Sequence, residues 1–190
     1  QSKITSLLDA GRALLDFAAE RDLPFLLHTT LDPGEDYSRA PLCFEVIEKN
    51  PHLRFCLAHS IGYHAGWLQK ADDMPNVWVD TAALTITVQL NRENHAVASR
   101  EEDRLKADFS DHVKVFRALL EKSPDTILWG TDSPWYAFVC RRKQGEGTYR
   151  TFRLKAVYED EKAALDALPE ALRRKACNTN TLRFLFDTQP

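Results

Sequence analysis

The sequence predicts an α/β fold built on a parallel sheet, and two observations carry that reading. Short apolar runs alternate with amphipathic helical segments along the chain, and the run Thr126 to Gly130 is apolar on both parities. Strands that are apolar on both sides are covered on both faces, the habit of parallel sheets wrapped by helices. A third observation bears on function: three of the four expected strands end at His28, His59 and Asp132.

The elements follow in order. Ile4, Leu7, Leu8, Leu14, Leu15 and Ala18 fall at spacings of three, four and seven, so a helix is expected from Ile4 to Ala19. Leu23 to His28 reads as the first strand, with Pro24 tolerable near its start. Pro41 to Lys49 reads as a helix and Leu53 to His59 as the second strand. His64 to Asp73 is the next helix, and Val77 to Asp80 the third strand. Leu84 to Ala107 reads as a long, mostly polar excursion that includes His95, long enough to serve as a lid. Phe109, Val113, Phe116 and Leu120 restore a helical face, with Ser110 as its cap. Thr126 to Gly130 is the fourth strand. A loop from Ser133 to Thr148 and helices at Phe152 to Ala167, Glu170 to Ala176 and Thr179 to Phe186 complete the chain.

Composition bounds the function. The 190 residues are 44% hydrophobic and 28% charged, which excludes disorder for most of the length. The net charge of -3 comes from intermixed acids and bases, so no nucleic-acid footprint is present; Arg141, Arg142 and Lys143 form the one dense basic run. No apolar stretch reaches the roughly 18 residues a membrane span needs, and no charged-then-apolar leader opens the chain, so a cytoplasmic location without membrane partners is expected. Cys43, Cys56, Cys140 and Cys177 lie far apart with no C-x-x-C pair, which suits buried thiols in a reducing compartment. Several chemistries find no motif: there is no nucleophile elbow, no P-loop and no dinucleotide fingerprint, and Gly145-Glu146-Gly147 reads as a turn.

The functional rim of a parallel α/β fold is the carboxyl end of its strands. Two imidazoles and one carboxylate suffice to bind zinc with a coordination place left for water, and they also match the facial triad of iron oxygenases. A single strand-end histidine is more often a packed core residue; three such ends in register favour a site. Between an open doubly wound sheet and a (β/α) barrel the periodicity alone does not choose, since a full barrel takes about 250 residues and eight strands.

Five ordered motifs decide the matter by resemblance. Leu26-Leu27-His28-Thr29-Thr30, Pro51 to His59, Asn76 to Thr81, Ile127 to Pro134 and Asn178 to Phe186 resemble the last four strands and closing helix of the amidohydrolase superfamily. The similar branch holds aminocarboxymuconate semialdehyde decarboxylase and related metal-dependent hydrolases. The resemblance implies a (β/α)8 barrel of which this chain carries the C-terminal half as one domain over 1–190. It also implies a divalent metal, zinc in the first instance with manganese or iron as alternatives. His28 would bind the metal, and His59 would bind it or hold its water and polarise the substrate. Asp132 would touch the metal and shuttle the proton.

The family's His-x-His pair is absent from this sequence, and the chain opens on Gln1 rather than Met. The expectation is that the first four strands precede Gln1 in a longer parent. A half barrel leaves sheet edges unpaired and an apolar face wet, so a homo-oligomer or association with the missing N-terminal half is expected. Trp135, Tyr136, His64 and Arg141 are candidate substrate contacts, the arginine by pairing with a substrate carboxylate. His64 and Trp67 read equally as a packed helix start, and Arg141 as a solvated loop residue. His52 and His112 read as solvated, and Asp80 as orienting a neighbour rather than binding metal. The function expected is metal-dependent hydrolysis of a small organic substrate, with non-oxidative decarboxylation of an aromatic or unsaturated acid as the rival. A catalytically silent half barrel is the third reading.

Overall fold

The computed structural model describes residues 3–95, 97–133 and 137–186, with 137–145, 152 and 154 as backbone alone. Four parallel strands, β1 (Phe25–Leu27), β2 (Phe55–Leu57), β3 (Val77–Asp80) and β4 (Ile127–Leu128), form one sheet in sequence order. Sequential order with all strands parallel requires a crossover helix between neighbours, the (β/α) barrel pattern. The helices are α1 (Arg12–Glu20), α2 (Ala40–Glu48), α3 (Ala65–Asp72), α4 (Leu84–Arg92), α5 (His112–Lys122), α6 (Tyr158–Asp166), α7 (Glu170–Arg174) and α8 (Asn180–Phe186).

Strand register separates two faces. Leu27, Leu57, Val79 and Ile127 are paired in one row, and all four are buried in the core beneath the helices. Leu26, Cys56 and Trp78 form the alternating row on the other face. Cys56, Trp78 and Leu128 cluster there with Phe184 of α8, whose ring centroid lies 5.7 Å from that of Trp78. Arg54, at the start of β2, holds α8 in place: its Nε donates to the Phe184 carbonyl at 2.8 Å, and Nη1 pairs with Asp22 at 2.6 Å. A cation at the last carbonyls of a helix also meets the negative end of its dipole.

Several expectations need correction. The first helix breaks: a 3-10 turn over Ile4–Leu8 precedes α1, and Gly11 at the break passes so close to Leu7 that an added Cβ would lie 2.9 Å from the Leu7 Cα. The polar excursion is largely helix α4, which buries Leu84, Ile86, Val88 and Leu90. Its Thr-Ile-Thr-Val run alternates like a strand and hides the helical period. The cap of α5 is Asp111, whose carboxylate accepts the Val113 and Lys114 N–H groups; Ser110 bonds Asp108 instead. The loop after β4 contains a hairpin, β5 (Ala137–Gly145) paired antiparallel with β6 (Thr148–Lys155). Alternation in Tyr149-Arg150-Thr151-Phe152-Arg153-Leu154 is a strand signal that the expected helix at Phe152 obscured. Gly147, at φ +69°, occupies the turn as a glycine must. His112 is half-buried, its Nε2 3.3 Å from the Asp160 carbonyl of α6. His52 is exposed, as expected.

Candidate active site at the carboxyl ends of the strands

His28 follows β1 directly, and His59 follows β2 after Ala58. The two parallel strands bring these residues side by side, with His59 Nε2 3.0 Å from His28 Nδ1 and their rings edge to face at 4.8 Å. His59 is held on two further sides. Its Nδ1 lies 3.0 Å from the Ala82 carbonyl, and its backbone N–H donates to Asp80 Oδ1 at 3.0 Å. A carbonyl only accepts, so Nδ1 carries a proton and donates it to Ala82.

Asp80, the last residue of β3, organises this corner. Its Oδ1 also accepts the Ala82 N–H at 2.9 Å, and its backbone carbonyl accepts the Ser60 hydroxyl at 3.2 Å. The buried Cys56 thiol lies 3.9 Å from Oδ2. Burial pushes the Asp80 carboxyl up from its ordinary value; the Ala82 N–H and His59 oppose that shift, and Asp132 reinforces it. His28 moves the other way. Desolvation lowers its pKa first and the neighbouring His59 next, while Glu35 and Asp132 act against them. Both influences disfavour the charged form of the His28 ring.

The chain after β4 is tied to the end of β3 through Thr81, whose hydroxyl donates to the Gly130 carbonyl at 3.2 Å and accepts the Gly130 N–H at 3.1 Å. Gly130 sits against Asp80, where an added Cβ would be 3.5 Å from the Asp80 Cβ. Asp132 lies two residues beyond, at φ +60°. It is near enough to bias the charge states of His28 and Asp80.

His59, Ser60, Ile61, Gly62 and Tyr63 all adopt positive φ between 47° and 62°, a left-handed turn that only one glycine eases. Left-handed backbone costs roughly 1–2 kcal/mol per L-residue, so the surroundings must over-determine it. The Asp80 contacts, the Ser99 hydroxyl on the Gly62 carbonyl at 2.8 Å and the Leu105 N–H on the Tyr63 carbonyl at 2.8 Å do so. The strain sits on the residue that presents an imidazole to the rim.

The 3.0 Å contact between His59 Nε2 and His28 Nδ1 is a hydrogen bond, which an ion shared by the two nitrogens would replace, with Zn–N bonds near 2.0–2.1 Å spanning about 3.3 Å. Among the described residues, however, no group of three or more His, Cys, Asp and Glu side chains is gathered to hold an ion, and His28, His59 and Asp132 do not form such a set. The described residues offer a pair of metal donors and not a full ligand shell. The other candidates disperse. His64 caps α3, its Nδ1 accepting the Trp67 N–H at 3.3 Å. Arg141 lies within β5, opposite Thr151, and Trp135 and Tyr136 lie outside the described residues. Sequence reasoning did not find the Ala82 carbonyl, a backbone contact without a residue signature, or the left-handed turn, to which Gly62 was the one pointer.

The family model described as Amidohydrolase matches residues 4–186. This chain belongs to the amidohydrolase family. An amidohydrolase from Burkholderia multivorans with bound zinc is similar at 14% identity and a TM-score of 0.56, covering 97% of this chain and 60% of that one. The 2,6-dihydroxybenzoate decarboxylase from Rhizobium is similar at 15% identity and a TM-score of 0.46, covering 91% and 54%. The 5-carboxyvanillate decarboxylase from Sphingomonas paucimobilis follows at 13% and 0.45, covering 90% and 52%. This amidohydrolase chain therefore spans between about half and three fifths of these proteins' lengths. No curated protein matches it. Among the described residues no helix is long and apolar enough to cross a membrane.

Proposed function

We propose that this chain supplies the C-terminal rim of an amidohydrolase active site that hydrolyses a small organic substrate. The observation that carries the reading is the His28–His59 pair, with ring nitrogens 3.0 Å apart and the His59 ring held by the Ala82 carbonyl. Donors beyond this pair would complete the shell of a divalent ion, whose chemistry when bound is to acidify water and stabilise negative charge on the substrate.

The chain's own groups have distinct tasks. His28 and His59 present nitrogen lone pairs on the rim. Asp80 fixes the His59 backbone and, through it, the ring. Asp132, on a separate strand end, is the carboxylate that takes a proton from the attacking water and returns it to the leaving group.

The test is a substrate screen on the purified protein, with zinc or manganese added, that reads hydrolysis products and carbon dioxide side by side. The reading expects hydrolysis of an ester or amide substrate, and loss of it in Asp132→Asn by at least about a hundredfold with the melting temperature kept. Carbon dioxide release without hydrolysis would transfer the site to the rival decarboxylation. Hydrolysis that persists in Asp132→Asn would remove Asp132 from the mechanism.

A further inference from the structure

Behind the left-handed turn lies a cavity of about 740 Å³ that the histidine pair does not line. Its size is that of a small-molecule site. One wall comes from the segment after β1 and the first turns of α2 and α3, with Leu31, Arg39, His64 and Trp67; the other comes from Asn94, His95 and residues 98–103.

The two walls differ in charge. On the first, Arg39 Nε is buried and has no hydrogen-bond partner among the described residues. The same guanidinium pairs through Nη2 with Asp36, at 3.3 Å. His64 accepts the Trp67 N–H on Nδ1, which leaves its ring proton on Nε2 as a donor. Trp67 is braced flat against Phe44, ring centroids 5.3 Å apart at 19°, which makes it a rigid aromatic platform. The second wall ends in the acidic turn Glu101-Glu102-Asp103, with Arg100 before it. This wall is built firmly: Arg104 Nη2 donates to the Ser99 carbonyl at 2.8 Å and to Asn94 Oδ1 at 3.2 Å, and Ser99 is bonded to Gly62.

We propose that this cavity binds a small dipolar molecule with an aromatic or apolar body, in the manner of an aromatic α-amino acid. Its carboxylate takes Arg39 and the His64 donor, its ring lies over Trp67 and Leu31, and its ammonium faces Glu101 and Asp103. A carboxylate gains a charge-assisted bond from a guanidinium, and a ligand bearing both charges meets both walls at once. The proposal is independent of the hydrolytic reading, since neither rim histidine lines the cavity.

Calorimetric titration with three probes tests it: L-phenylalanine, 3-phenylpropionate, which lacks the ammonium, and phenethylamine, which lacks the carboxylate. L-phenylalanine is expected to bind saturably, and each truncated probe about tenfold more weakly. Arg39→Gln should weaken L-phenylalanine and 3-phenylpropionate by about tenfold and leave phenethylamine unchanged, while Glu101→Gln with Asp103→Asn should weaken L-phenylalanine and phenethylamine and spare 3-phenylpropionate. The probe series on the unaltered protein stands even where a variant fails to fold. No saturable binding of L-phenylalanine, equal affinity for all three probes, or indifference of L-phenylalanine to Arg39→Gln in a folded protein would each overturn the proposal.

Discussion

Asp80 Oδ1 receives two backbone N–H groups, from His59 and Ala82, so removing the carboxyl leaves two buried donors without a partner. Asp80→Ala should cost about 2–4 kcal/mol by chemical denaturation, while Asp80→Asn, which keeps an acceptor oxygen, should cost less than half of that. A second buried carboxylate works at a distance from the rim. Glu161 Oε1 accepts the Thr85 N–H at 3.0 Å and caps α4, which has no side-chain cap of its own. Burial raises its pKa above the ordinary 4.5, and the Thr85 N–H opposes this. The folded protein therefore keeps a proton that the unfolded chain has released, and this group's contribution to stability falls as pH rises upward from 4.5. Urea denaturation across that range should show the decline, and Glu161→Gln should flatten it; Glu161→Ala should instead cost about 1–2 kcal/mol through the lost cap. At this scale the approach of His28 and His59 was legible in the sequence because both follow apolar runs that form neighbouring strands. The Ala82 carbonyl and the Glu161 cap were not, because a backbone acceptor and a cap 76 residues away in sequence leave no local signature.

Among the elements, the turn from His59 to Tyr63 carries a run of left-handed backbone, and Gly62 is its tightest point. An added Cβ there would meet Leu31 Cδ1 at 2.8 Å and the Val97 carbonyl at 3.0 Å, at a φ of +59°. Gly62→Ala should lower stability by about 2–3 kcal/mol and disturb the ring of His59, which opens the same turn. Differential scanning calorimetry, with imidazole shifts read by NMR, checks both. The strands β1 to β4 were legible because they are apolar on both parities. Helix α4 was misread because its β-branched run Thr85-Ile86-Thr87-Val88 masks the helical period, and the β5–β6 hairpin because its charged residues, Arg141, Arg142, Lys143, Arg150 and Arg153, read as loop and helix surface.

For the whole molecule the sheet presents an edge at β1, which pairs with β2 alone among the described strands. Leu26 on that strand is 64% exposed although its register partner Cys56 is fully buried. Phe17, Leu23 and Phe186 are also exposed. Unpaired edges and apolar surface of this kind drive association. Sedimentation velocity is expected to show a concentration-dependent larger species, and Leu26→Glu should shift it toward the monomer without loss of helix content. A monomer at all concentrations would mean that the edge is tolerated as it stands.

The most direct measurement is a zinc titration by calorimetry, comparing the protein with His28→Ala and His59→Ala. The pair at the ends of β1 and β2 predicts saturable binding that each substitution weakens by about tenfold or more while circular dichroism stays unchanged. Zinc binding that is absent from the unaltered protein, or that survives both substitutions, would contradict the assignment of the rim as the functional centre.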